Sequence, residues 1–224
     1  LSNQASLLDV DVPKPKVISP ISKLIINNFC PANRYYGLHY QKLNAKLYYP
    51  PVREVIKNLN PTEGTDYIVY LPFYGTEKLV KHLTLFPEVT WRVFSKHTTL
   101  RYTSGNVHVQ PIDETNFIAA LEGCKGVLCS AGFGTTSEAL YLNKKLLVIP
   151  MKSQYEQQCN AHSLSLLGVP AIPSLKKKHH TVISDWIASN VKPTIEMKDE
   201  NNRLVRDILE DYVASGIIKP TDEV

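Results

Sequence analysis

Five short apolar runs, each followed by a stretch with helical spacing, limit this chain most. The runs are YIVYL at 67–71, TWRVF at 90–94, VHV at 107–109, GVLC at 126–129 and KLLVI at 145–149. Helical spacing covers 77–86, 115–121 and 135–142, and a longer helix at 154–167 follows the last run. Strands that are apolar on both sides and separated by helices predict a parallel sheet covered on both faces. The fold class that follows is α/β, a Rossmann-like doubly wound sheet. In such a sheet ligands bind beyond the carboxyl ends of the strands. The loops at 72–76, 110–114, 130–136 and 151–157 are therefore expected to face one another.

The flanks read differently. Prolines at 13, 15 and 20 break the opening, and 21–29 reads as a short helix. Residues 34–40 and 46–49 read as strands, the second stopped by Pro50 and Pro51. This is too little to close a second core, so 1–60 is read as the tail of a preceding domain plus a linker. Residues 61–200 form the α/β domain. Within 201–224 a helix at 202–215 carries Leu204, Val205, Ile208, Leu209 and Tyr212 on one stripe, which must pack on something, best the body of the protein.

Composition narrows the function classes. With 224 residues, 43% of them hydrophobic and 21% charged, the chain can build a globular core. No run approaches the roughly 18 apolar residues of a membrane helix, and the start lacks a signal-peptide pattern. A formal charge of +4 suits an anionic ligand or membrane surface without demanding nucleic acid, and no nucleic-acid partner is expected. Cys30, Cys124, Cys129 and Cys159 show no metal-ligand spacing; Cys124 and Cys129 read as buried free thiols, which fits the cytoplasm. Peripheral membrane contact stays open, because Lys176, Lys177, Lys178, His179 and His180 form a basic cluster. A solvated loop before the helix at 181–188 is the simpler reading of that cluster.

The stretch SAGFGTTSE at 130–138 follows one expected strand and opens the next helix. Gly132 and Gly134 let a ligand approach the backbone, and Thr135, Thr136 and Ser137 add hydroxyls and helix-start amides. A helix N-terminus carries about half a positive charge and unpaired donors, which suits a diphosphate. Glu138 can cap the helix or accept two vicinal ribose hydroxyls. A tight turn alone would use the same glycines. The stretch is not the dinucleotide G-x-G-x-x-G placed after a first strand, which here ends LPFYG, and this weighs against a nicotinamide oxidoreductase. After the fifth run comes PMKSQYEQQCNA, with Glu156, Gln157 and Gln158 at the mouth, where an acid and amides suit the hydroxyls of a sugar. A polar helix start would look the same.

Taken in order, strand, GFGTTSE helix, LLVIP strand and EQQCNA helix resemble the C-terminal, donor-binding domain of GT-B glycosyltransferases. The likeness is to the branch holding the bacterial peptidoglycan N-acetylglucosaminyltransferase and the UDP-glycosyltransferases. It covers 66–168 and extends loosely to YPPVR at 49–53, similar to that family's interdomain Pro-Val-Arg. The resemblance implies that Ser130, Gly132, Gly134, Thr135 and Thr136 hold the diphosphate and Glu138 the ribose. Gln157, with Glu156 or Gln158, would face the donor sugar, and the base would lie on the backbone from Gln110 to Ile112. Tyr74 and Thr76, in a loop that departs from the family's Gly-Ser-x-Gly, would approach the phosphates or the acceptor. Arg53 would reach the phosphates or stay on the surface.

The implied reaction is inverting transfer from a nucleotide-sugar, UDP-linked, to an unknown acceptor, with no metal and no cofactor beyond the UDP-sugar substrate. No histidine, His97, His108 and His162 included, has a motif for the general base, which is assigned to a preceding acceptor domain. The chain then reads as a fragment or a stand-alone donor domain. Two alternatives remain: a non-catalytic nucleotide-sugar-binding subunit with a partner acceptor domain, and a sugar-nucleotide epimerase of the same fold.

Overall fold

In the computed structural model, residues 5–9, 11–15 and 35–216 are described. The expected helix at 21–29 and Cys30 lie outside them. Six strands form the main sheet: β3 (Tyr67–Tyr70), β4 (Trp91–Ser95), β5 (Tyr102–Ser104), β6 (Val107–Pro111), β7 (Gly126–Cys129) and β8 (Lys145–Val148). Their order is β5-β6-β4-β3-β7-β8, parallel except for β5, which pairs antiparallel with β6. A parallel bridge from Val148 to Ala171 extends the far edge. Without β5 and that bridge, the five parallel strands run 3-2-1-4-5 in space. The order reverses between β3 and β7, which makes their carboxyl ends the crevice of the sheet.

Alternation within each strand supplies two cores. Ile68, Phe94, Val127, Cys129, Leu146 and Val148 face one side. Tyr67, Val69, Trp91, Val93, Leu128, Leu147 and Ile149 face the other. Seven helices are described: α1 (Glu54–Lys57), α2 (Thr76–Leu83), α3 (Glu114–Gly123), α4 (Phe133–Tyr141), α5 (Tyr155–Leu166), α6 (His180–Ala188) and α7 (Asn201–Ala214). Residues of α3, α4 and α5 line the first core, and Leu79, Leu83, Ile183, Trp186 and Ile187 from α2 and α6 line the second. Cys124, Cys129 and Cys159 are free and buried, and burial raises the Cys124 thiol to about 11.

The strands expected at 34–40 and 46–49 shrink to β1 (Gly37–Leu38) and β2 (Leu47–Tyr48), paired in parallel. Their side chains are spent on the body instead: Leu38, Tyr40, Tyr48, Val52 and Ile56 all enter the first core. α7 packs on this same segment. Tyr48 Oη donates to Asp207 at 2.7 Å, and Lys42 Nζ reaches Glu200 at 2.6 Å. Of the expected apolar stripe on α7, Leu204 is buried and Ile208 is packed beside it. Val205, Leu209 and Tyr212 are about half exposed, so that face of the helix is covered only along one edge.

β5 was not anticipated. It forms a hairpin with β6 through Gly105, whose φ of +58° favours glycine. The segment before β3 is anchored by Lys144, which is 3% exposed. Its ammonium donates to the carbonyls of Thr62, Glu122 and Cys124 at 2.7, 2.6 and 2.9 Å.

Candidate donor-binding site

α4 begins at Phe133, two residues before the expected start, with Gly132 as its N-cap (φ −79°, ψ 150°) and no side-chain cap. The first helical amides have no intrahelical acceptor. They lie beyond β7, beside the end of β3, at the crevice of the sheet. Gly134 is exposed, and a Cβ there would meet nothing within 4 Å. A Cβ on Gly132 would meet only Gln157 Nε2 at 3.8 Å. Neither glycine is closed over by a neighbouring side chain.

The expected ligand side chains divide into two groups. Ser130 and Thr135 are partly exposed, and among the described residues no side chain or backbone group bonds either hydroxyl. Thr136 is different: it is fully buried, and its hydroxyl donates to Gly132 O at 2.7 Å. With that proton committed, Tyr40 Oη donates to Thr136 Oγ1, also at 2.7 Å. The Thr136 side chain braces the turn rather than facing a ligand. Ser137 is also fully buried, its hydroxyl without a partner.

Glu138 is 4% exposed. Arg53 holds it in two-point geometry, Nε to Oε1 at 2.5 Å and Nη2 to Oε2 at 3.0 Å. The remaining Arg53 nitrogen, Nη1, donates to Glu114 on α3. Arg53 thus ties the starts of α1 and α3 to the middle of α4. Glu138, rather than solvent, is the first cause of its raised pKa.

Tyr74 is turned inward. Its hydroxyl accepts from Leu175 N at 2.8 Å and its ring packs in the second core, so it stands apart from the crevice. Thr76 bonds Ser95 in the interior at 3.0 Å. Both were expected near the phosphates, but the apolar loop 71–74 draws them into packing. The backbone from Gln110 to Ile112 ends β6 at the carboxyl edge of the sheet, with Ile112 44% exposed. The Gln110 side chain lines a separate groove of about 390 Å³ with Arg92, Arg101 and His108.

α5 supplies the other wall. Gln157 is buried, accepting from Met151 N at 3.0 Å and donating to Gln154 at 2.6 Å. Gln158 donates to Lys152 O at 2.6 Å. Glu156 is partly exposed, and desolvation raises its carboxyl above the usual range, opposed by Asn160. Asn160, unremarked in the sequence, donates to Ala131 O at 3.0 Å and lies 3.4 Å from Glu156 Oε1. A polar side chain four residues after Glu156 was the available signal. The three histidines passed over in the sequence make ordinary contacts where they bond: His97 Nε2 with Pro72 O and His108 Nδ1 with Thr103.

Strand order, crevice and uncapped glycine turn define an α/β domain of the GT-B type. The family Glycosyl transferase family 1 matches residues 15–190, and the chain belongs to it. Among solved structures, the calicheamicin glycosyltransferase CalG4 is 13% identical, with 79% of this chain and 49% of that one covered and a TM-score of 0.53. The spinosyn forosaminyltransferase SpnP is 15% identical, with 93% and 62% covered and a TM-score of 0.48. SnogD, a glycosyltransferase from Streptomyces nogalater, is 16% identical, with 84% and 61% covered and a TM-score of 0.43. CalG4 shows the shared fold. The chain spans between about half and two thirds of these structures' lengths. No curated protein matches the sequence. Among the described residues, no helix is long and apolar enough to cross a membrane.

Proposed function

We propose that this chain is the donor-binding part of a sugar transferase that uses a nucleotide-sugar, UDP-linked, and inverts the anomeric carbon. The observation that carries the reading is the uncapped start of α4, opened by Gly132 and Gly134 at the point where the strand order reverses. Unpaired amides aligned with a helix dipole stabilise the charge that builds on a departing diphosphate, without reorganisation during the reaction. Ser130 and Thr135 add hydroxyls at its rim. Likeness of the 130–138 and 156–161 motifs to the peptidoglycan N-acetylglucosaminyltransferase branch supports UDP and a hexose or N-acetylhexosamine.

In this reading the base lies on the backbone from Gln110 to Ile112. Glu138 receives the ribose, and Arg53 must then release it. A carboxylate has about four acceptor sites and Arg53 uses two, but Arg53 also covers the approach. Release frees a guanidinium suited to a diphosphate. Glu156 and Gln158 face the donor sugar, with Gln157 holding the loop at Met151. The acceptor hydroxyl attacks in line at the anomeric carbon; its general base and its binding surface come from an acceptor domain. Residues 1–60 would be the tail of that domain and its linker, with 61–200 the donor domain. The lysines at 176–178, exposed before α6, are where a peripheral membrane contact would fall.

Calorimetry of the purified chain with UDP, UDP-glucose, UDP-N-acetylglucosamine, GDP and NAD tests this. Saturable binding of UDP or its sugars, with NAD inert, is expected. Absence of all nucleotide binding by a folded chain would overturn the reading.

A further inference from the structure

α5 and the glycine turn come from separate parts of the chain, and a ligand that bridges them needs a fixed distance between the two. One buried amide sets it. Asn160 is 4% exposed, and its Nδ2 carries both contacts, to Ala131 O at 3.0 Å and to Glu156 Oε1 at 3.4 Å. Ala131 immediately precedes the N-cap Gly132, and Glu156 lies one helical turn before Asn160 on the same face of α5. An amide nitrogen has two protons, and here each has an acceptor. The opposite orientation would aim the amide oxygen at a carbonyl and a carboxylate, so the two acceptors also fix which way the amide points.

We infer that Asn160 is a positioning residue, one that sets the Glu156 carboxylate against the diphosphate turn and thereby governs how the sugar of a nucleotide-sugar is held. The inference rests on the nucleotide-sugar reading above. Asn160 touches no ligand itself. It uses Oε1 of Glu156 and leaves Oε2 for a sugar hydroxyl, while the bond to Ala131 O keeps α5 from drifting away from α4. His39 supports the same helix from behind, its Nε2 3.2 Å from Ser163 Oγ.

The test compares a nucleotide with its sugar conjugate. Affinities of UDP, GDP and dTDP, and of their glucose conjugates, are measured by calorimetry for the wild-type chain and for Asn160→Ala, Glu156→Ala and the double variant. Asn160→Ala is expected to weaken the best glucose conjugate by about tenfold, the loss of one hydrogen bond to a charged group, and the parent diphosphate far less. The double variant should be no weaker than Glu156→Ala alone, because the amide acts through that carboxylate. Equal loss for diphosphate and conjugate, or additive losses in the double variant, overturns the inference while the nucleotide-sugar reading stands. A wild-type chain that binds none of the six compounds overturns both. Should Asn160→Ala lose its cooperative thermal transition, Asn160→Val, which removes the donor and adds no charge beside Glu156, takes its place with the same expected split.

Discussion

Arg53 and Glu138 face each other as fork to carboxylate, two nitrogens on two oxygens at 2.5 and 3.0 Å, although 85 residues separate them in the chain. Glu138 is nearly inaccessible while the Arg53 side chain is 43% exposed, so the pair is screened on one side only. Arg53→Ala leaves a buried carboxylate without its partner. Allowing for solvent on the arginine side, the expected destabilisation is roughly 1–2 kcal/mol, read as a lower urea midpoint. A midpoint equal to wild type would show that the pair adds nothing to the fold.

Glu138→Ala should weaken UDP binding by roughly 1–3 kcal/mol, the loss of a charge-assisted hydrogen bond to ribose. Calorimetry decides it. Unchanged affinity in a folded variant would leave Glu138 as a structural partner of Arg53 alone.

Gly134→Ala separates folding from binding. The site has room for a methyl group, and alanine is the better helix former, so stability should rise by about 0.5 kcal/mol. The same methyl group stands over the first amides of α4, and UDP affinity should fall. A variant that is less stable and binds normally would contradict both halves.

Glu156 gives the chain a pH signature. Its folded pKa is raised above the ordinary carboxyl range, chiefly by desolvation. The folded state therefore holds this proton more tightly than the unfolded chain. The contribution is fully present below the unfolded pKa and is lost as pH rises through the folded one. Glu156→Gln should raise the melting temperature at neutral pH and remove this part of the slope. Parallel stability-pH curves for the two proteins would contradict it.

Lys144→Ala should cost roughly 1–3 kcal/mol, because one buried and two partly buried carbonyls lose a charged donor together. Chemical denaturation measures the loss, and a change under 1 kcal/mol would mean that water replaces the ammonium.

The parallel strands and their crossover helices were legible because each is a local pattern: a run of apolar residues such as LLV in β8, or the spacing in α5. The glycine turn was legible for the same reason. β5 was not, since YTS at 102–104 gives no apolar run; the Gly105-Asn106 pair between two short β-type segments was the usable hairpin signal. Side-chain direction was also hidden. Thr136 and Thr135 are neighbours of one type, yet one is fully buried and bonded to Tyr40 while the other is partly exposed. That difference depends on residues some 96 positions away. Arg53 is similar: its position at a helix start was readable, its two carboxylates were not.

α7 grips β1, β2 and their neighbours more than it grips the sheet, through Asp207 on Tyr48 and Glu200 on Lys42. From that segment Tyr40 reaches Thr136, whose hydroxyl fastens Gly132. Trimming the chain ahead of Asn201 would thus first slacken the two tiny strands, and the looseness would arrive at the first turn of α4 without any residue there having been altered.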